Sequence, residues 1–393
     1  MTRDNKIIMF SLFLWGIGES MWYFISGIYL EDLGAAPEQV GLALGFAALT
    51  VALSFLAGGL LADRFDRKYL MLAGWALGAV APPLMALAGD WQQFMIGYTV
   101  FNLSSYVVPV IDTYVSHSAG SAPLERIFPI VYAGFWLGSV LGPQVSKALL
   151  GTFDLRALLL SSSALFGFST LAVAFVKRQP AARSTSRVEP RTPLVNALQP
   201  ALWFFAFLFL IDFAMSIGAQ FIPLYLERID WRVADVSGAI SAQMIGTAIL
   251  SVLIGHVSAG KRRRGLLIAQ LLVFTSMAAF AFGARTWGGL AVAGYFLLGG
   301  FQSARQQAVA QVAGYVGTQH RGTAFAVAST VSETALAAAR ASAGLLFAAD
   351  AARPFFAGLL LIPIGVLLTL RLRGPHAAVV PETARLGPVD MMR

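Results

Sequence analysis

The feature that most constrains this chain is a series of apolar runs, each long enough to cross a lipid bilayer. A transmembrane helix needs about 20 mostly apolar residues, and hydrophobic residues make up 57% of the sequence while charged residues make up 12%. Helices satisfy every backbone polar group within such a run, whereas barrel strands are about half as long and alternate in polarity. The sequence therefore predicts an all-α polytopic membrane protein. Twelve runs lie near residues 7–30, 38–61, 69–89, 92–115, 127–149, 156–176, 199–226, 235–258, 265–284, 287–312, 322–346 and 354–371.

The basic residues predict how these helices are oriented. Most of the 28 lysines and arginines fall in the N-terminal segment and in every second loop after it. Basic residues are enriched in the cytoplasmic loops of membrane proteins. We therefore expect a multi-pass protein of the cell inner (plasma) membrane with both termini in the cytoplasm. Because the bases are scattered over short loops, we expect no binding to nucleic acid.

The longest polar segment divides the chain into two sets of six runs. Residues 177–198 contain five bases together with prolines, serines and threonines, a composition typical of a flexible linker. The sequence therefore predicts an N-terminal six-helix bundle over residues 1–176 and a C-terminal bundle over residues 199–373. A cytoplasmic linker over 177–198 joins them, and a cytoplasmic tail over 374–393 follows.

The two sets of runs resemble copies of one unit. The tripeptide Tyr-Leu-Glu that ends the first run, at residues 29–31, recurs at residues 225–227, which is 196 positions later. The same offset relates Gly59 to Gly255 without any gap. Repeated coincidences at one offset favour an internal duplication, and hence two pseudo-symmetric bundles.

A burst of charge separates the second run from the third. It keeps a glycine, an acid and three bases at fixed spacing, namely Gly59, Asp63, Arg64, Arg67 and Lys68. This pattern resembles the signature loop between helices 2 and 3 of the major facilitator superfamily. It departs from that signature at Asp66, where the family prefers glycine.

The resemblance implies a fold, an activity and a role for the loop. The fold would be twelve transmembrane helices in two six-helix bundles, with a substrate site between them near the middle of the membrane. The activity would be secondary active transport by alternating access, not enzyme catalysis. Asp63 and Arg67 would hold the cytoplasmic ends of the bundles together, with Asp63 at the start of helix 11, where the helix dipole favours an anion. The alternative is that the loop only fixes the topology.

Several charged side chains lie deep inside the runs, where charge is costly and is usually functional or paired. The helices that carry them would line the central cavity of the resembled fold, so we expect a proton-coupling or substrate site there. Arg305 could bind an anionic group or could pair with an internal acid, and Asp112 could contact Arg67 of the loop. The candidate residues are Glu19, Asp112, Asp212, Gln302, Arg305, Gln306, Glu333 and Arg340.

Glu19 is the first candidate for a proton site. It lies about twelve residues into its run, near the bilayer centre at ~1.5 Å of rise per residue. Burial disfavours the charged form of a carboxyl group, so this residue could take up and release protons. Asp212 lies at a similar depth in the second bundle. The alternative is that each acid is permanently hydrogen-bonded to a neighbouring helix and is purely structural.

The fifth run contains glycines at every fourth position, followed by a proline. These residues are Gly134, Gly138, Gly142 and Pro143. The spacing partly resembles the antiporter signature of drug-exporting members of the family, but Ser146 and Lys147 stand where paired glycines are expected. Small residues at this spacing also serve the close packing of two helices, and this alternative stays open.

The expected function is proton-coupled export of a lipophilic or drug-like small molecule by a monomer. Aromatic residues cluster after Glu19 and at residues 135–136, and an acid beside aromatic faces suits a lipophilic cation. The alternatives are an importer or facilitator of a polar metabolite, such as a sugar or an organic anion bound by Arg305, and a sensor that does not transport. The chain has no cysteine and no phosphate-binding loop, so we expect no cofactor and no metal.

Overall fold

The computed structural model describes residues 1–62, 64–118, 124–180, 198–258, 262–312, 315–316 and 321–371. These residues form helices joined by short turns, and none of them lies in a strand. We group the helices into twelve segments, α1 to α12. They are α1 (Arg3–Asp32), α2 (Pro37–Ala62), α3 (Arg67–Ala86), α4 (Trp91–Ser118), α5 (Leu124–Leu150), α6 (Leu155–Ala174), α7 (Gln199–Arg228), α8 (Val233–Ser258), α9 (Arg262–Ala278 with a π-helical turn, Ala279–Gly283), α10 (Gly288–Leu298 and Gly300–Gln311), α11 (Arg321–Ala349) and α12 (Arg353–Arg371).

Each predicted run falls on one of these segments, and the predicted all-α polytopic fold is confirmed. Nine of the described helices, all but α5, α10 and α11, are long and apolar enough to cross a membrane by length and composition. Helix α1 begins at Arg3, earlier than the apolar pattern predicts, because the Thr2 hydroxyl caps it by accepting from the Asn5 N–H at 3.3 Å. The predicted linker over 177–198 lies mostly outside the described residues, and the predicted tail over 374–393 lies wholly outside them.

The internal repeat is visible in the turn that follows the first helix of each half. Gly34 after α1 and Asp230 after α7 both adopt positive φ, at 89° and 68°, and they lie 196 residues apart. The Gly34 N–H donates to the Glu31 carbonyl at 2.9 Å, and the Asp230 N–H donates to the Glu227 carbonyl at the same distance. Glycine takes this conformation freely, and Asp is among the few other residues that tolerate it.

The same offset relates the irregular turns and the helix ends. A 3₁₀ turn interrupts α1 at Tyr23–Ile25 and α7 at Ala219–Phe221, while α2 and α8 begin and end in step. We call α1–α6 the N-terminal half and α7–α12 the C-terminal half. Their matching breaks and turns agree with two copies of one six-helix unit.

The two halves meet along two helix pairs, α2 with α11 and α5 with α8. Gly41 and Gly344 allow the first pair to come close, since a Cβ atom on Gly41 would lie 2.6 Å from the Arg340 carbonyl oxygen and 2.7 Å from the Gly344 Cα. In the second pair the Ser241 hydroxyl of α8 donates to the Val140 carbonyl of α5 at 3.0 Å. Small residues thus bring the two backbones together, as is common between membrane helices.

These contacts all lie toward one end of the molecule. Lys147 forms an ion pair with Asp235 at 3.1 Å, and Arg228 forms one with Glu31 at 3.0 Å. Every hydrogen bond and ion pair found between the halves for the described residues lies in the part of the molecule away from the N-terminus. We call this the joined end; the loop at residues 64–66 lies at the opposite end.

Candidate functional site

A cavity of about 250 Å³ lies between the two halves. Its walls come from α1, α2 and α5 of the N-terminal half and from α7, α8, α10 and α11 of the C-terminal half. We call it the central cavity. Its polar lining consists of Glu19, Tyr23, Ser216, Gln220, Gln243, Tyr295, Gln302, Arg305, Glu333 and Arg340.

Glu19 enters the central cavity from α1. Its carboxylate accepts a hydrogen bond from the Trp15 indole Nε1–H at 2.9 Å, because residues four apart lie on the same face of a helix. Tyr23 continues this face by one more turn and also lines the cavity. The sequence does not by itself identify Trp15 as a site residue. Its position one turn before Glu19 is nevertheless a signal that the two side chains lie on the same face of α1. Glu19 forms no ion pair with a described residue.

The C-terminal half places two acids around one base. Arg305 on α10 forms an ion pair and hydrogen bond with Glu333 on α11, and both side chains line the central cavity. Asp212 on α7 is fully buried behind them, and its Oδ2 accepts from the Ser332 hydroxyl. Its Oδ1 has no hydrogen-bond partner among the described residues. This arrangement corresponds to the internal pairing that the sequence left open for Arg305.

Arg340 on α11 is the second cavity base. Its side chain is buried, and its Nη1 donates to the Leu44 carbonyl of α2 at 3.1 Å, across the contact between the halves. It forms no ion pair with any described residue. With Arg305 and Glu333 paired, Glu19 and Arg340 are the two charges on the described cavity wall that lack an oppositely charged partner.

Two other predicted residues, Asp112 and Gln306, are not part of the described wall of the central cavity. The Asp112 carboxylate on α4 accepts from the Tyr132 hydroxyl of α5 at 2.7 Å and does not line the central cavity. This placement differs from the expected cavity position and from the expected contact with Arg67, because α4 turns this residue toward α5. The side chain of Gln306 lies outside the described residues, whereas Gln302 lines the cavity.

The charged loop contacts its own half in this structure. Asp66 has an extended backbone and caps α3 by accepting from the Lys68 N–H at 3.0 Å. It also forms an ion pair with Arg178 at 3.1 Å. This position therefore needs no glycine. Asp63 lies outside the described residues, so its predicted contact with the start of α11 stays a prediction.

The remaining loop residues differ in exposure. The Arg67 side chain is buried, and its backbone N–H donates to the Gln179 carbonyl at 3.1 Å. Arg64 is exposed, and a Cβ atom on Gly59 would meet nothing within 4 Å. In the described part of the loop, then, the contacts that fix its position run to the chain after α6.

The glycines of α5 lie against α1. Cβ atoms on Gly134 and Gly138 would collide with the carbonyl oxygens of Met9 and Phe13, and one on Gly142 would collide with Ser20. The Pro143 carbonyl accepts a long hydrogen bond of 3.4 Å from the Ser237 hydroxyl of α8. The spacing therefore serves close helix packing in this structure, and this packing holds α1, with Glu19, against α5.

Comparison with known proteins identifies related chains. The family model described as Major Facilitator Superfamily matches residues 8–339. The multi-drug resistance efflux pump PmrA of Streptococcus pneumoniae is 26% identical over 262 residues, which cover 63% of this chain and 65% of that protein. A putative sugar efflux transporter of Deinococcus radiodurans is 28% identical over 217 residues, 52% of this chain and 55% of that protein. An uncharacterized MFS-type transporter of Mycobacterium tuberculosis is 29% identical over 176 residues, 43% and 41% of the two chains.

The chain thus spans less than two thirds of the length of these curated relatives.

Among solved structures, the nucleoside transporter NupG has a TM-score of 0.77 at 14% identity, covering 94% of this chain and 98% of that one. A POT family transporter in complex with 5-aminolevulinic acid has a TM-score of 0.74 at 13% identity, covering 94% and 95%. At these identities the structural likeness concerns the fold alone.

Proposed function

The chain belongs to the Major Facilitator Superfamily, and from this premise we propose that it is a proton-coupled exporter of lipophilic, drug-like cations. As a member of this family it is a multi-pass membrane transporter and not an enzyme. The observation that carries the proposal is the Glu19 carboxylate, which lines the central cavity beside Tyr23, Phe135 and Trp136. The efflux activity named for PmrA and for the Deinococcus relative supports the direction of transport.

The proposed mechanism is competition between a proton and a cationic substrate for Glu19. With both termini in the cytoplasm, the joined end would be the outer end, and the structure would correspond to an inward-facing state. An ionised Glu19 would then attract a cation entering from the inside. After the halves rock to the outward-facing state, a proton from outside would neutralise the carboxylate and release the cation. Arg305 does not compete with the cation for Glu19, because it is already paired with Glu333.

The test is transport by the purified protein in vesicles with an imposed pH gradient. We expect Glu19→Gln to abolish flux of a lipophilic cation driven by the gradient, because the amide keeps the shape of the side chain but cannot exchange a proton at neutral pH. Asp112→Asn is the matched control, since Asp112 lies on α4 outside the central cavity. Gradient-driven flux that survives Glu19→Gln unchanged would exclude Glu19 as the proton site.

A second candidate function is import or facilitated diffusion of a polar metabolite, such as a sugar or an organic anion. The observation in its favour is the set of polar cavity groups, above all Arg340, whose charge has no acidic partner among the described residues. Because Arg305 is paired, Arg340 is the better anion contact. This second function would be favoured if the protein takes up an anion, if Arg340→Gln abolishes that uptake and if Glu19→Gln leaves it intact.

A further inference from the structure

A second cavity lies wholly within the N-terminal half, between α1, α2, α3, α4 and α5. Its volume is about 290 Å³, close to the lower end of the ~300–1,000 Å³ range of small-molecule sites. We call it the side pocket. Aromatic rings make up much of its wall, namely those of Trp15, Tyr23, Phe55, Trp75, Phe101, Tyr132, Phe135 and Trp136.

The side pocket adjoins the central cavity at Glu19. Five residues line both spaces, and they form the boundary between them: Glu19, Tyr23, Val51, Phe135 and Trp136. Glu19 is the one acidic or basic residue in the described lining of the side pocket. A molecule held by its charge at Glu19 could therefore extend an uncharged part into either space.

Three polar atoms of the aromatic wall are already engaged with protein groups. The Trp15 N–H donates to Glu19 at 2.9 Å, the Trp75 N–H donates to the Ser169 hydroxyl at 2.7 Å, and the Tyr132 hydroxyl donates to Asp112 at 2.7 Å. With these three atoms engaged, ring faces and edges make up most of the contact surface that the aromatic wall offers. Such a surface suits an aromatic group and offers little to a sugar or another hydroxylated molecule.

The rings are also fixed against one another. Trp15 packs edge-to-face on Trp75 with ring centroids 5.5 Å apart, and it stacks on Phe166 at 4.2 Å. A wall of interlocked rings is formed before any ligand arrives, so little side-chain entropy is lost when a planar group enters.

From this arrangement we propose that the side pocket binds the planar aromatic portion of the transported molecule while its cationic group lies at Glu19. The proposal rests on the proposed function for the charge of the substrate. It adds the shape of the substrate, which would be a flat ring system attached to the cationic centre through a short linker. Molecules with this shape would be bound more tightly than cations of equal charge without rings.

The test is equilibrium binding of a matched series of quaternary ammonium ions to the purified full-length protein. Benzyltrimethylammonium, naphthylmethyltrimethylammonium and anthracenylmethyltrimethylammonium share one charge and one linker and differ in ring size. In the wild-type protein we expect Kd to fall about tenfold from the benzyl to the anthracenyl compound, because the larger ring covers more of the aromatic wall.

Variants that fill the side pocket should remove this gain. Val108→Phe and Ser105→Leu both alter α4 residues that line the side pocket and not the central cavity. We expect each to return the anthracenyl Kd to about the benzyl value. Leu103→Phe is the matched control, because Leu103 is on the same helix, is 47% exposed and lines neither space. Thermal unfolding of each variant checks that it is folded.

The outcomes separate this proposal from the proposed function. A wild-type Kd that does not fall with ring size, or a fall that survives in both filled variants, would overturn the side-pocket assignment even if Glu19 couples protons. Ring-dependent binding that both filled variants lose, in a protein that shows no gradient-driven flux, would support the pocket and refute proton-coupled export.

Discussion

The charged side chains of the central cavity are of two kinds, those without an ion-pair partner and those that pair with each other. Glu19 and Arg340 face the central cavity with hydrogen bonds to Trp15 and to the Leu44 carbonyl. Arg305 and Glu333 face the same cavity but are committed to each other. We propose that the first kind meets the substrate and the proton, whereas the second links α10 to α11.

Breaking the Arg305–Glu333 pair should therefore destabilise the protein more than removing it entirely. Glu333→Leu leaves a largely buried guanidinium without its nearest acid, and we expect a loss of about 3 kcal/mol in the free energy of unfolding. The double variant Arg305→Leu/Glu333→Leu should recover most of that loss, because the guanidinium is removed together with its acid. Unfolding of the detergent-solubilised proteins measures both. A double variant less stable than Glu333→Leu would contradict this account.

The residues of the candidate site could be predicted only in part from the sequence. Apolar context was enough to single out Glu19, Arg305, Glu333 and Arg340 as buried charges. It could not separate them from Asp112, because the direction a side chain takes depends on the rotation of its helix, which tertiary packing sets. Trp75 and Tyr132 donate hydrogen bonds to residues distant in the sequence, Ser169 and Asp112. No local sequence pattern predicts such partners.

Among the helices, α2 and α11 bring the halves into close contact at the joined end through Gly41 and Gly344, and we infer that this contact limits how closely the halves approach. Gly41→Val would place side-chain atoms against the Arg340 carbonyl and the Gly344 Cα, and overpacking of this kind costs about 1–3 kcal/mol. We expect the variant to favour the state in which the joined end is open and to slow transport several-fold. Gly167→Val is the control, since a Cβ atom on Gly167 would meet nothing within 4 Å.

Spin-label distances across the joined end measure this shift directly. Longer distances in Gly41→Val than in Gly167→Val are the expected result. Equal distances in the two variants would mean that the α2–α11 contact does not limit closure.

The duplication could be predicted from sequence because it survives in local features. The offset of 196 residues relates the turns at Gly34 and Asp230 and the 3₁₀ breaks in α1 and α7. These features depend on short stretches of chain. The packing of α5 on both α1 and α8 depends on long-range contacts and became visible only in three dimensions.

For the whole molecule, the sidedness predicted from basic residues can be tested because the chain contains no cysteine. Phe65 and Phe153 are exposed in turns at opposite ends, at 55% and 57%. In intact cells we expect a membrane-impermeant maleimide to label Phe153→Cys and not Phe65→Cys, and in inverted vesicles the reverse. Labelling of Phe65→Cys in intact cells would place the termini outside the cytoplasm.

The ion pairs at the joined end have a consequence for how the surrounding medium acts on the protein. Lys147 and Arg228 are each 48% exposed, so dissolved electrolyte reaches both pairs, and the screening length falls from about 10 Å at 0.1 M to 3 Å at 1 M ionic strength. Concentrated salt on that face of the membrane weakens the attraction between these oppositely charged side chains of the two halves. The same salt on the other face meets no described ion pair between the halves. We therefore expect salt in the two compartments to shift the balance of conformations unequally, even before any solute is bound.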